Sequence, residues 1–456
     1  MIHTDDQSGW KQHFPTYHFK ERDVALEEYR FATKTLEAEE RVFLNAANLS
    51  VVVGAALGSL ALGTLDRLVV TFQPVIPPAF TLTVILGLAV AFAVLSLRYF
   101  ADRQRAVCFA ARKVIVLRRM LGMSYGSLQL VLPNWRIEGA DEPFAIRLFP
   151  GWNTYVAYPC YAIAGIAAAV AFFILAALIK YLESSGVTLP IHHAPLIVGL
   201  AAFAFAMLAW LYRKALMDTH ERVSLLVACR AAKAMNLTLI SNIEYVIYRA
   251  TLAKHELYRL GFDLSTIKKL LIHIEDKEFL AHSGISLRGL ARLFLSALGF
   301  GPRSGGSTIT QQLVRTLFIQ DQSKLFRRKL IELLLARWFD GVIAKNDQLE
   351  MYVASVRFEV GVFGIAQALQ WYFGGIRTDI SAPVAFFLIE RVSNVRSCLL
   401  VERIDQTLRG VVKAGLLSEA QVLDVIELYA AAVQLGKVRD PDGRGIARLK
   451  IAWKQA

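Results

Sequence analysis

Four stretches of this chain run for 17–20 residues without a charged side chain: 46–65, 79–97, 161–179 and 195–211. A helix needs about 20 apolar residues to cross roughly 30 Å of hydrocarbon. In lipid each backbone polar group has to be satisfied within the segment, which leaves helix as the available form. The four stretches are therefore expected to be membrane spans. A large soluble core is the competing reading, but buried soluble helices rarely lack charge over such lengths. The 456 residues leave room for two or three domains. The chain is 55% hydrophobic and 20% charged, and the clumping of those apolar residues decides the class.

Residues 1–45 read as a polar helical lead of mixed charge. No cleavable signal peptide is visible, so the first span is expected to act as an uncleaved anchor. Spans one and two are joined by 66–78, where Pro74, Pro77 and Pro78 forbid continuous helix. Gly54 and Gly58 give the first span a spacing that admits close helix packing; lipid-facing glycine is the alternative. Residues 98–155 form a basic connector with Arg98, Arg103, Arg105, Arg112, Lys113, Arg118 and Arg119. Within a membrane region of 46–215, this connector and the segment after span four are both basic. The charge rule places both, and both termini, in the cytoplasm. Residues 216–260 are expected to be a helical linker, and 261–456 a helical globular domain with apolar residues recurring at three and four.

The four cysteines (Cys108, Cys160, Cys229 and Cys398) are scattered and form no CxxC pair, so neither a disulfide framework nor a zinc site is expected. The net charge of +13 fits basic flanks at an anionic lipid surface and a polyanionic ligand. No nucleic-acid motif accompanies it.

The chemistry-bearing residues lie in the last part of the chain. Gly305-Gly306-Ser307-Thr308-Ile309-Thr310-Gln311-Gln312-Leu313-Val314-Arg315 reads as a loop entering a helix. The two glycines allow a tight turn. Thr308 with Gln311 makes a capping-box pattern. Ile309, Leu313 and Leu317 form an apolar stripe, with Gln311 and Arg315 on the roughly opposite face. A helix N-terminus beside a basic side chain suits a diphosphate; an ordinary capped amphipathic helix is the plainer alternative. Upstream stands Glu275-Asp276-Lys277-Glu278-Phe279-Leu280-Ala281-His282-Ser283-Gly284. Taken alone it is an acidic turn at a helix end. Its adjacent carboxylates would point roughly 100° apart on a helix and cannot share one target. Downstream, Arg328 and Glu332 lie four apart, the spacing of a surface ion pair.

These segments, with Tyr372-Phe373-Gly374, resemble in their order the motifs of the peptidoglycan glycosyltransferases (glycosyltransferase family 51). The resemblance runs from about Leu264 to about Ala431. It implies a lysozyme-like helical glycosyltransferase domain, so that with the spans read above the chain is expected to be all-α: a multi-span helical membrane region, itself of no recognised family, followed by that domain. It implies attack of a sugar 4-hydroxyl on an anomeric carbon that carries a lipid diphosphate. Lipid II would be polymerised into β-1,4 glycan strands, with release of undecaprenyl diphosphate. By the same resemblance Glu275 is the base and Glu332 the second essential carboxylate. Phe279, Ser307, Thr308, Gln311, Gln312, Arg315, Lys324, Arg328 and Lys329 bind the substrate, and Asp276 and His282 hold local structure. A divalent cation (Mg or Mn) bridging carboxylate and diphosphate is compatible with this set, and no feature demands one. The partners implied are lipid II, the nascent glycan strand and the bilayer, with cell-wall synthesis proteins as further candidates and no nucleic acid. The family works on the outer face of the cytoplasmic membrane, whereas the charge bias points the domain inward.

The chain departs from the family at Asp340, where a glutamate is usual, and at Arg315-Thr316, where Lys-Asn is usual. It also has Ala354 in place of an asparagine and Glu359 in place of a glycine. These departures motivate an alternative: a non-catalytic lipid-carrier-binding or scaffolding protein that keeps the fold. A lysozyme-like hydrolase is a third reading. Ser265-Thr266-Ile267-Lys268 matches SxxK, but no companion box follows, so it reads as chance.

Overall fold

The computed structural model describes residues 22–72, 77–120, 139–140, 144–146, 151–186, 193–240, 243–286, 307–320, 325–392, 394 and 398–454. The chain divides into two compact units, Lys20–Glu221 and one built on Arg222–Ala456.

The first unit packs four long helices: α1 (Arg22–Phe72), α2 (Pro78–Met120), α3 (Tyr158–Ser184) and α4 (His193–Leu216). Pro78 stands at the start of α2, where its missing N–H is not needed. The polar lead is not a separate element, because α1 runs unbroken from Arg22 into the first apolar stretch. The basic connector also begins as helix, since α2 continues through 98–120. The bundle closes on small residues, Ala93, Ala101, Ala164 and Ala167, around buried Phe43 and Tyr212. Phe43 stacks edge-on against Phe100 at 6.0 Å and Tyr155 at 5.9 Å. A Cβ on Gly54 would stand 2.2 Å from Ile166 Cδ1, so here glycine admits α3. Arg112 of α2 pairs with Asp218 and donates to the Gly139 carbonyl at 2.7 Å.

Among the described residues three helices are long and apolar enough to cross a membrane: Pro78–Ile115, Tyr155–Ser184 and His193–Leu216. They contain the stretches 79–97, 161–179 and 195–211. The stretch 46–65 lies in α1, but its side chains from 57 onward are outside the described residues. The chain is a membrane protein on these helices.

Among the described residues the second unit is helical apart from one hairpin and isolated bridges. Its helices are α5 (Val223–Ala234), α6 (Ile243–Arg259), α7 (Ser265–Glu275), α8 (Ile309–Phe318), α9 (Leu325–Asp340) and α10 (Lys345–Ser355). After the antiparallel strands β1 (Arg357–Glu359) and β2 (Val362–Phe363) come α11 (Gly364–Phe373), α12 (Ala382–Val392), α13 (Val401–Lys413), α14 (Glu419–Gln434) and α15 (Gly445–Lys454). The stretch 216–260 is not a free linker: α5 packs on α9, and α6 on α10. Helix α12 lies between α7 and α14, and α8 rests on both α9 and α10. Aromatic rings fill two parts of the interior. Phe318, Trp338 and Phe339 meet at 5.6–5.8 Å. Phe387 meets Tyr372 at 5.0 Å and Tyr429 at 4.9 Å. Burial of this kind contributes about 1.5–3 kcal/mol per large side chain and fixes the helices that carry the polar groups described next.

Candidate active site

Helix α7 buries Ile267, Leu270 and Leu271 and ends at Glu275. Asp276 leaves the helix with φ −158° and ψ 79°, which separates the two carboxylates. Glu275 turns to α8 and accepts a hydrogen bond from Gln312 Nε2 at 2.8 Å. Asp276 is buried, accepts from the Ile309 amide at 3.2 Å, and lies 2.9 Å from His282 Nε2. It thus supplies an acceptor to the α8 N-terminus, where free amides need one. Asp276 and His282 hold the loop to the helix, as the sequence implies. Phe279, expected at the substrate, has a fully buried ring, with His282 edge-on at 6.2 Å and Lys345 Nζ above it at 4.4 Å.

Thr308 caps α8 as expected: its hydroxyl accepts from the Gln311 amide at 3.2 Å and donates to the Gly284 carbonyl at 2.8 Å. Gly284 has φ +79°, and a Cβ there would stand 2.4 Å from the Ala336 carbonyl oxygen, so the Gly284 backbone lies directly on α9. The reciprocal arm of the capping box does not form. The Gln311 carbonyl oxygen instead accepts from Lys329 Nζ at 2.8 Å. Ile309, Leu313 and Leu317 are fully buried, as the stripe predicts. Gln311 and Gln312 are buried too, so both act chiefly through neighbouring side chains.

Helix α9 brings the cations together. Glu332, with no exposed surface, lies 3.2 Å from Arg328 Nε, 3.2 Å from Lys329 Nζ and 3.8 Å from Arg315 Nη1. Lys329 also donates to Ser307 Oγ at 2.7 Å. Burial pushes the Lys329 ammonium below its ordinary range, Glu332 opposes this, and Arg315 and Arg328 reinforce it. The side chains of Arg315, Arg328 and Lys329 remain 30%, 16% and 14% exposed, so this positive group reaches solvent. Ser307, Arg315, Arg328, Lys329 and Glu332 are therefore gathered from three segments. Lys324, Gly305 and Gly306 lie outside the described residues.

The departures from the motif pattern have structural accounts. Asp340 pairs with Lys345 at 2.6 Å and accepts from Gln348 Nε2 at 3.0 Å. Ala354 is buried, and the tie between α8 and α10 is made by other residues. Thr310 donates to Gln348 Oε1 at 2.7 Å, and Tyr352 donates to Gln312 Oε1 at 2.8 Å. Glu359 accepts from the Tyr372 hydroxyl at 3.2 Å and faces buried Arg391 at 3.9 Å. In the SxxK match, Ser265 is bound to Asp263 and Lys268 to Glu350, which supports reading it as chance. Sequence reasoning passed over Gln348 and Lys345, and met Tyr352 only as the motif residue two before Ala354, with no role given to it. The signal available was spacing: Gln348 and Tyr352 are i,i+4 on α10 and share a face.

Residues 254–411 match the family model described as transglycosylase. That part of the second unit is similar to transglycosylases. Penicillin-binding protein 1F of Bacillus subtilis (strain 168) is 37% identical over 116 residues, 25% of this chain and 16% of that relative. A monofunctional glycosyltransferase of Staphylococcus haemolyticus (strain JCSC1435) is 34% identical over 108 residues, 24% of this chain and 40% of the relative. A biosynthetic peptidoglycan transglycosylase of Herminiimonas arsenicoxydans is 34% identical over 136 residues, 29% of this chain and 57% of the relative. The chain thus spans between 16% and 57% of the length of these relatives. The matched residues account for Glu275, the α8 motif and the α9 cluster, while α5, α14 and α15 lie outside them and pack into the same unit.

Proposed function

We propose that the protein is a membrane-bound peptidoglycan glycosyltransferase that polymerises lipid II into β-1,4 glycan strands. Glu275 takes the proton of the acceptor 4-hydroxyl as its oxygen attacks the donor anomeric carbon. The bond from that carbon to the lipid diphosphate breaks with inversion, and undecaprenyl diphosphate departs. Arg315, Arg328 and Lys329 meet the charge that develops on the diphosphate. Glu332 holds these three cations in one place.

The observation that carries this reading is the charge ratio of the cluster. Three cationic side chains converge on one buried carboxylate, at 3.2–3.8 Å, and remain open to solvent. A structural ion pair needs one cation; the surplus suits a polyanionic leaving group. Arg315 also sits on α8 one turn beyond Gln312, which holds Glu275, so base and cations share a helix. Among the described residues Glu332 is the carboxylate that these three cations face, and its oxygens already meet three positive groups. No step is routed through a metal.

The test is polymerisation of labelled lipid II by the full-length protein beside Glu275→Gln. Glycan strands from the wild type alone support the reading. Lipid II binding without strands from either protein, under conditions where a known polymerase works, would replace it with the non-catalytic carrier-binding role. We place the enzyme in the cytoplasmic membrane with its catalytic unit on the outer face. A reporter fused after Ala456 that reads as cytoplasmic overturns that placement.

A further inference from the structure

We propose that Tyr352 is a positioning residue that, through Gln312, orients Glu275 for proton abstraction. This rests on the glycosyltransferase reading above. Tyr352, on α10, is almost completely buried, and among the described residues its hydroxyl has one hydrogen-bond partner, Gln312 Oε1 at 2.8 Å. The other end of the same amide, Nε2, donates to Glu275 Oε2 at 2.8 Å.

The relay has a direction. An amide oxygen only accepts, and an amide NH2 only donates. With the Tyr352 hydroxyl donating to the oxygen, the NH2 end is turned toward Glu275, and a donor there suits a carboxylate that is ready to take a proton. A protonated Glu275 still accepts this bond on its carbonyl oxygen, but the bond is stronger to the charged carboxylate. Tyr352 thereby favours one amide orientation, and the amide favours the ionised base.

Gln312 donates to Glu275, while the neighbouring polar groups named next are engaged elsewhere. Asp276, the neighbouring carboxylate on the α7 side, is engaged by His282 and the Ile309 amide. On α8, Arg315 is directed to Glu332. On α10, Gln348 is occupied by Thr310, Asp340 and the Ile343 carbonyl. Tyr352 is the polar group of α10 that reaches the residue holding Glu275. Burial pushes its phenol well above the ordinary range, and the negative Glu275 adds to this, so the hydroxyl stays a proton donor across the working pH.

The experiment is the pH dependence of lipid II polymerisation by the full-length wild type and Tyr352→Phe, with Gln312→Met as a second variant. Tyr352→Phe keeps the ring and removes only the donor. Removing a hydrogen bond that orients a charged group lowers the maximal rate about tenfold near neutral pH, with KM for lipid II within about twofold. The acid limb of its rate profile moves to higher pH by about one unit, and the deficit shrinks as pH rises. Gln312→Met shows the same limb shift with a larger loss. A loss equal at every pH, a loss carried by KM, or a profile identical to wild type overturns the inference while leaving the enzyme reading intact. Absence of strands from the wild type overturns both.

Discussion

Two glutamates are buried among cations in the second unit, and they differ in how the charge closes. Glu350, on α10, faces Lys268 at 3.0 Å and Lys254 at 4.0 Å, with further hydrogen bonds from Tyr258 and from Asn346 at 2.8 Å. Lys254 also meets Asp347 at 2.8 Å, so two lysines face two carboxylates and the group is neutral. Glu332 faces three cations, and no second carboxylate faces them among the described residues. The Glu350 group joins α6, α7 and α10 and is complete as it stands. The Glu332 group is left positive and partly open. The same residue types thus make a structural tie in one place and an anion site in the other, and the stoichiometry of charge separates them.

The largest expected effect is at the base that the anion site serves. Glu275→Gln should lower lipid II polymerisation about a thousandfold, measured as strand formation by the purified full-length protein, with thermal stability unchanged. Glu350→Ala should break the neutral group instead. Lys268 would lose its carboxylate and Lys254 would keep only Asp347, at about 1–3 kcal/mol of stability. A lowered unfolding midpoint in denaturant would report it, while the rate per folded molecule stays within about fivefold. Lys329→Ala should do the reverse. It removes one donor from the surplus, lowering the rate about a hundredfold and changing stability by less than about 1 kcal/mol, because two cations still hold Glu332. If Glu350→Ala spared stability or Lys329→Ala removed it, the contrast between the two glutamates would fail.

Two further effects sharpen the comparison. Gly284→Ala places a methyl against the Ala336 carbonyl and strains a positive φ, so it should cost about 1–3 kcal/mol in thermal unfolding. Acid should weaken the Glu350 tie. Burial alone would raise this carboxyl, but hydrogen bonds from Tyr258, Lys268 and Asn346 outweigh burial and hold it below its ordinary 4.5. A carboxylate lowered in the folded state contributes stability that is full above the unfolded value and is lost as pH falls through the folded one. Unfolding measured from about pH 6 to about pH 3 should therefore show an acid-dependent loss that Glu350→Gln lacks. An identical slope in that variant would assign the acid sensitivity elsewhere.

Much of the site was legible along the chain because its grammar is local. Thr308 caps α8 within one turn, and Ile309, Leu313 and Leu317 face inward by their spacing alone. The pairing of Arg328 with Glu332 follows from an i,i+4 interval. Other assignments needed partners far away in sequence. Gln311 fits a capping box, but a lysine 18 residues on competes for its side chain and takes it. Phe279 belongs to a family motif, but whether its ring faces a ligand or the core depends on Lys345 and His282 packing over it. The loss of asparagine at Ala354 suggests a weakened scaffold, yet Gln348 and Tyr352 tie α8 to α10 from one turn earlier.

The sequence by itself determined that this is a helical membrane chain and that its second unit holds a transglycosylase motif set in order. Charge-free runs of span length and short-range capping patterns constrain the backbone wherever they occur. Only the tertiary structure decided that Arg315, Arg328 and Lys329 all meet Glu332, that α5 and α6 belong to the second unit, and that Tyr352 reaches Glu275 through Gln312 across separations of 40 and 37 residues. Those outcomes depend on which helix faces meet, and periodicity within one helix carries no record of its neighbour.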